Sequence, residues 1–250
     1  MNDWYDEIGK GYTSLRIPDK RIATIVHKAL GNADRVANIG AGTGYYEPLD
    51  REVYAIEPSA LMLSQYEGTG KRIQGIAEAI PLGDNSVEAS MGILTLHHWE
   101  NWKKGLKEML RVSQHSVVLL THKPDLYDFW LLDYFPAIRE IDQKIFSSIE
   151  DIESEASLNQ WKTESITVPV PFDCTDGFLG AYWRRPNAYF SSEVRRSIST
   201  FNLLDSALVE HTLERLKNDL DSGEWNKRYG QLNNITELDL GYRLLRMTPV

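Results

Sequence analysis

Val36-Ala37-Asn38-Ile39-Gly40-Ala41-Gly42-Thr43-Gly44 is followed by Val53-Tyr54-Ala55-Ile56-Glu57-Pro58, with Glu57 thirteen positions beyond Gly44. One apolar run ends in three glycines at alternate positions; the next ends in an acid. A first parallel strand, a glycine turn and a second strand with a terminal carboxylate grip an adenosine-containing cofactor in this way. The glycines admit the backbone close to a ligand and allow positive φ. The carboxylate can accept both hydroxyl hydrogens of a ribose.

The spacing discriminates among cofactors. Dinucleotide sites prefer G-x-G-x-x-G, whose third glycine lets a helix approach a pyrophosphate. Here the order is G-x-G-x-G, and Tyr45 stands where that last glycine is expected. No G-x-x-x-x-G-K-[ST] loop occurs in the chain, so a P-loop nucleotide site is excluded. Tyr45 also counts against a nicotinamide-dependent oxidoreductase on a similar sheet.

Further segments extend the pattern: Ala55-Ile-Glu-Pro-Ser59, Ala77-Glu-Ala-Ile-Pro-Leu-Gly-Asp-Asn-Ser86, Leu94-Thr-Leu-His-His-Trp99, Gly105-Leu-Lys-Glu-Met-Leu-Arg-Val112 and Val117-Val-Leu-Leu120. In order and spacing, roughly residues 1 to 122 resemble a class I S-adenosylmethionine-dependent methyltransferase of the small-molecule, ubiquinone-biosynthesis-like group. There are two departures. Asn38 replaces the acid that usually opens the glycine motif, and Ser113-Gln-His-Ser116 replaces a Pro-Gly-Gly turn before the fifth strand.

The resemblance implies an α/β, Rossmann-like sheet of seven mostly parallel strands with helices on both faces. Its last strand would be antiparallel and lodged between the fifth and sixth. It implies S-adenosylmethionine as cofactor and S-adenosylhomocysteine as product. Asn38, Gly40, Ala41, Gly42 and Gly44 would form the cofactor turn, with Glu57 and Pro58 at the ribose. Met62, unless it is simply core, Ala77, and Glu78, unless it is an exposed loop acid, would border the adenine, and Leu94, at the end of the fourth strand, would also contact the cofactor. The leading segment, with Tyr5, Tyr12 and Arg16, would fold over the cofactor, Arg16 pairing the methionine carboxylate unless it is a surface arginine.

The 250 residues are 42% hydrophobic and 25% charged, as expected of a globular protein. A net charge of −9 disfavours a phosphate backbone as partner. The single cysteine, Cys174, allows no intramolecular disulfide or multi-cysteine metal site, and reads as a buried small hydrophobe. The first residues lack a basic stretch followed by an apolar one, and no apolar run is long enough to span a membrane, so a cytoplasmic location is expected.

Residues 19–30 place Ile22, Ile25, Val26 and Ala29 on one helical face, with Gly31 as a stop. Strands are expected at 35–39, 52–56, 71–76, 87–94 and 116–121, with helices near 60–66 and 99–112. Residues 125–160, rich in aromatic and acidic side chains, read as inserted helices. A sixth strand at 164–170 follows, then an insertion with helices near 191–200 and 205–220, and a closing strand at 240–247. Alternating strands and helices predict right-handed crossovers. The chain reads as one domain, 1–250. Its core covers about 19–122, 162–171 and 238–248, and its caps about 123–161 and 172–236.

His97-His98-Trp99 follows the fourth strand, where the carboxyl ends of an open α/β sheet border the ligand crevice. A histidine there can take a proton from an attacking nucleophile, or can cap the next helix. Neighbouring strand residues face opposite ways, so at most one of the two is expected to face the substrate, with His98 preferred. Two adjacent histidines alone make a poor metal chelate. Asp173, Asp176, Tyr182, Trp183, Arg184 and Arg185 suit the walls of a small polar substrate, or an ordinary packed lid. The expected activity is methyl transfer to an O, N or C atom of a small molecule, without nucleic acid or membrane as partner. The alternative is a non-catalytic regulatory protein that binds the cofactor.

Overall fold

The computed structural model describes residues 16–123, 125 and 128–250; the expected contributions of Tyr5 and Tyr12 lie outside the described residues. The chain forms a seven-stranded sheet. Its strands are β1 (Arg35–Ile39), β2 (Glu52–Glu57), β3 (Lys71–Gln74), β4 (Val87–Ile93), β5 (Ser113–His122), β6 (Trp161–Thr167) and β9 (Tyr242–Pro249), in the order β3-β2-β1-β4-β5-β9-β6. Neighbouring strands from β3 to β5 run parallel, whereas β9 runs antiparallel to both β5 and β6. The order reverses between β1 and β4, which opens a crevice at the carboxyl ends of those two strands.

Alternation explains why both faces are covered. On β5, Val118 and Leu120 join the apolar cluster that holds Ile22, Val26 and Ala29 of helix α1 (Lys20–Leu30), while Val117 and Leu119 join one with Leu106 and Met109 of α3 (Trp102–Val112). Strands apolar on both sides belong to a sheet sandwiched by helices. Asp19 caps α1 by accepting from Arg21 N–H, and Gly31 ends it at φ 64°. Ile25, assigned to the buried face, is half-buried against the same cluster. Between these helices in the chain comes the short α2 (Ala60–Ser64), capped by Ser59 and packed on β2 and β3.

Four expectations are corrected. The helix after the fourth strand begins at Trp102, because Asn101 caps it and Leu96–His98 form a separate 3-10 turn. Ser113–Ser116 make no turn: α3 passes directly into β5, and a register shift opposite Val87–Ala89 absorbs the mismatch. The sixth strand is Trp161–Thr167, ending as Val168 N–H donates to Tyr242 O. Pro169 follows and has no N–H to continue the ladder. Val170–Pro171 (β7) then pairs with Glu237–Leu238 (β8) in a separate ribbon. The helix expected at 191–200 is broken into α7 (Ser192–Arg196) and a 3-10 turn, Ser199–Leu203, where the Ser197 hydroxyl is drawn to Gly177 O and Val194 O.

Residues 125–160 divide in role. Helices α4 (Leu131–Tyr134) and α5 (Ala137–Ile145) belong to the part that covers the crevice. Helix α6 (Ile149–Leu158), by contrast, lies on the sheet face beside α3, with Ile149, Ile152 and Ala156 buried there. It is the crossover between β5 and β6. The cover also draws on α7, α8 (Ser206–Asp221) and α9 (Glu224–Tyr229). Its interior is aromatic: Trp130 meets Tyr134, Tyr189 and Trp225 edge-on, with ring centroids 5.4–5.9 Å apart. Among the described residues, no helix is long and apolar enough to cross a membrane.

Candidate active site

The end of β1 turns sharply because Gly40 and Ala41 N–H both donate to Ile56 O, at 2.9 and 3.0 Å. Glu57, closing β2, is thereby brought beneath the turn. Its Oε2 accepts from Gly42 N–H at 2.9 Å and its Oε1 from Ser59 N–H at 3.0 Å. Burial raises the pKa of Glu57, and the two N–H groups oppose that rise. Each oxygen keeps lone-pair capacity for a further donor. The turn and the acid, thirteen positions apart in sequence, therefore meet in one hydrogen-bonded unit.

A cavity of about 210 Å³ opens over that unit. Glu57, Pro58 and Met62 line it, together with Asn38, Gly40, Ala41 and Gly42. Ala77, Glu78, Leu94 and His98 complete the lining. Gly44 does not line the cavity. It lies behind the turn at φ 93°, where a Cβ would come within 2.7 Å of the Tyr66 ring, so it serves the packing of the turn. Trp99 borders the cavity and packs against α3, where Gly105 leaves room for its ring. Glu78 is partly engaged already, accepting from Asn101 N–H at 2.9 Å.

Asn38 is buried, and its Nδ2 donates to Glu47 Oε1 at 2.8 Å. Glu47 is buried as well and also accepts from the Tyr66 hydroxyl. An acid thus stands beside position 38 after all, supplied nine residues further along the chain.

Arg16, Leu94 and His98 also border a second, smaller chamber, closed by His97, His122, Phe146, Phe178 and Tyr242. Leu94 turns the chain from β4 with φ 51°, and the 3-10 turn follows at once. The expectation that one histidine faces away assumed a strand. In the 3-10 turn both imidazoles point to the same side, with ring centroids 3.8 Å apart, and His97 packs on Phe146 at 4.5 Å. His122 Nε2 lies 3.0 Å from Leu240 O, a carbonyl that can only accept, so this nitrogen carries the proton. Sequence reading did not find His122, Phe146 or Tyr242. Their only signal was placement at the end of the fifth strand, in an aromatic insertion and in the closing strand.

All three rings are held uncharged. Burial lowers His98 and His122 to about 4, and burial with the neighbouring His98 lowers His97 well below its ordinary value. The unfolded chain, with histidines near 6.5, therefore takes up protons before the native protein does. Stability is full above about pH 6.5 and is lost as pH falls toward about 4. Thermal midpoints measured across that interval should fall by roughly 5 °C or more, and His122→Gln should flatten the slope. A wild-type midpoint constant from pH 7 to 5 contradicts the burial of neutral rings.

Arg16 was expected to hold a ligand carboxylate. Its Nε donates to Asp176 Oδ1 at 2.6 Å, and the Tyr46 hydroxyl donates to Asp176 Oδ2 at 2.8 Å. Asp176 therefore fixes the guanidinium where it borders both chambers. The rest of the polar cluster at 173–185 does not line them. Trp183 is fully buried with its Nε1 donating to Val170 O, Arg185 bonds Cys174 O and Ala181 O, and Asp173 pairs with Arg21 at the surface. The packed-lid alternative describes those residues. Cys174 is buried, and its thiol is pushed up to about 12. Among the described residues, no group of three or more His, Cys, Asp or Glu side chains is arranged to hold a metal ion.

Residues 37–121 match a family profile described as a methyltransferase domain. A protein from Anabaena variabilis, assigned as a methyltransferase of an antibiotic biosynthesis pathway, is 36% identical to the chain. The match covers 94% of this chain and 99% of that one, with a TM-score of 0.87. The YcgJ protein of Bacillus subtilis is 17% identical over 92% of this chain and 98% of its own, with a TM-score of 0.57. A geranyl diphosphate C-methyltransferase from Streptomyces coelicolor, solved with Mg2+, geranyl diphosphate and S-adenosyl-L-homocysteine, is 13% identical. It covers 93% of this chain and 78% of its own, with a TM-score of 0.55. The last two share the fold. No curated protein matches the chain significantly.

Proposed function

Because the chain belongs to the class I S-adenosylmethionine-dependent methyltransferases, we propose that it methylates a small molecule seated in the second chamber. The observation that carries this reading is the shared border of the two cavities at Arg16, Leu94 and His98. A methyl donor in the first cavity and an acceptor in the second would meet at that border, where alignment of the reacting atoms provides most of the catalysis.

The donor set fits the cofactor. The Glu57 carboxylate would accept the ribose hydroxyls, Met62 and Ala77 would cover the adenine, and Pro58 and Glu78 would flank it. Gly40, Ala41 and Gly42 would run beneath the sugar and the methionine moiety, with Arg16 near its carboxylate. When bound, the sulfonium supplies an activated methyl whose carbon–sulfur bond breaks with its electron pair going to sulfur.

His98 would receive the proton that a hydroxyl acceptor releases. An imidazole near 4 does not deprotonate a resting alcohol. It does accept the strongly acidic proton present once the new bond to carbon has formed. His97, packed behind it, would hold the ring in place. His98→Ala is expected to lower turnover about 10²–10³-fold while leaving S-adenosylhomocysteine affinity within threefold, as measured by calorimetry. An unchanged rate would remove His98 from the chemistry.

The acceptor class is testable with labelled methyl donor. Label should pass to a macromolecule-free ultrafiltrate of cell extract, and transfer only to the protein or RNA fractions would overturn the reading. The net charge of −9 supports a small-molecule acceptor over nucleic acid.

A further inference from the structure

Asn38 departs from the acid that usually opens the glycine motif, yet it is not a simple loss of charge. Its side chain has two ends of opposite character, and only one of them is occupied. Nδ2 donates to Glu47 Oε1 at 2.8 Å. Among the described residues no donor reaches Oδ1, and Asn38 lines the first cavity. Which end faces which way follows from chemistry. An ionised carboxylate only accepts, so the amide must turn its NH2 to Glu47 and its carbonyl oxygen the other way. Tyr66 fills another lone pair of the same carboxylate and holds it from the far side.

We propose that Glu47 is a positioning residue that fixes Asn38 Oδ1 as the acceptor for the α-ammonium group of the cofactor's methionine moiety. This rests on the cavity being the cofactor site. The cationic group chosen must be the ammonium, because the sulfonium has no hydrogen to donate to Oδ1. The usual negative charge is retained but moved one hydrogen bond back, from position 38 to position 47. The arrangement also carries a pH dependence. Glu47 is raised above its ordinary range by burial, against the lowering from Tyr66 and Asn38. A protonated Glu47 can donate to Oδ1, which lets the amide turn over and present NH2 to the cation instead.

The position makes an unusual demand of substitutions. Restoring the family's acid with Asn38→Asp sets two carboxylates at hydrogen-bond distance, which cannot both be ionised. The double variant Asn38→Asp with Glu47→Gln reverses the polarity of the pair and keeps one acid and one amide.

The test is calorimetric titration of S-adenosylhomocysteine and of methylthioadenosine into wild type, Glu47→Gln, Asn38→Asp and the double variant, between pH 5.5 and 8. Glu47→Gln and Asn38→Asp should each weaken S-adenosylhomocysteine about tenfold. The double variant should return to within about threefold of wild type. Methylthioadenosine, which has no ammonium group, should bind all four alike. Wild-type affinity for S-adenosylhomocysteine should weaken toward pH 5.5, and that dependence should vanish in Glu47→Gln.

Unchanged S-adenosylhomocysteine affinity in Glu47→Gln overturns the proposal, as does a double variant no better than Asn38→Asp. Equal losses for the two ligands also overturn it, since they report a collapsed cavity and not a lost ammonium contact. Tyr66→Phe, which removes the donor on Glu47 Oε2 and leaves the Asn38–Glu47 bond in place, controls for poor folding: a lowered melting temperature with affinity kept supports the proposal, and a tenfold loss of affinity there as well overturns it. If wild type binds neither ligand, the cofactor-cavity reading fails before this one is reached.

Discussion

Glu57→Ala is expected to weaken S-adenosylhomocysteine by about 10²–10⁴-fold. The proposed contacts are two charge-assisted hydrogen bonds from the ribose, each worth about 1.5–3 kcal/mol. Alanine removes both, and it also releases the Gly42 and Ser59 N–H groups that the carboxylate holds at 2.9 and 3.0 Å. The turn would lose its anchor to β2 together with its ligand. Glu57→Gln, which keeps the shape but has one accepting oxygen, should fall between the two. Calorimetry with S-adenosylhomocysteine and adenosine checks this, and both ligands should lose affinity because both carry the ribose. Wild-type affinity in the alanine variant would place the ribose elsewhere.

Gly40→Ala should destabilise the fold by roughly 3 kcal/mol, lowering the thermal midpoint by about 6–12 °C. Gly40 has φ 68°, and a Cβ built there would lie 2.1 Å from Thr95 Oγ1 and 3.0 Å from Thr95 Cβ. Thr95 is buried at the exit from β4, so it cannot swing aside without disturbing Leu94 and the histidine turn. Adding Thr95→Ala removes the oxygen in the way and should recover part of the loss. What remains should be the cost of a left-handed alanine, about 1 kcal/mol. An unshifted midpoint in the single variant would mean that β1 and the 94–95 segment are not in contact.

These two positions show what the sequence made legible. The glycine turn and Glu57 lie within about twenty residues of each other. Short-range pattern describes such local geometry well: an apolar run, a turn, a second run, an acid. The seven-stranded, mostly parallel sheet and the lodging of the antiparallel β9 between the fifth and sixth strands followed from the resemblance, and the structure has both.

The second chamber was legible only at His97 and His98. Its other walls come from β5, the end of α5, the segments on either side of α7, and β9, and no periodicity links His122, Phe146 and Tyr242 in advance. The histidine pair was read with strand alternation, but a 3-10 turn turned both rings to one side. The cluster from Asp173 to Arg185 misled for a related reason. Polar and aromatic side chains close together in sequence suit a substrate wall, yet here their carbonyl and ring partners are internal to the lid. Asn38 read as a lost charge because Glu47 has no fixed spacing to announce it. Only the fold brings them to hydrogen-bond distance.

The placement of β9 has a consequence for biogenesis. This strand pairs with β5 along one edge and β6 along the other, and Tyr242 near its start closes the second chamber. On the ribosome, β5 therefore emerges some 120 residues before the neighbour that will cover its open flank. Throughout that interval the nascent chain presents an unprotected row of amide and carbonyl groups beside an apolar strand, a template for wrong pairing with other chains. Productive expression should thus gain from holdase chaperones and from unslowed translation of the lid, which keeps that interval short. The parallel half, by contrast, can mature early.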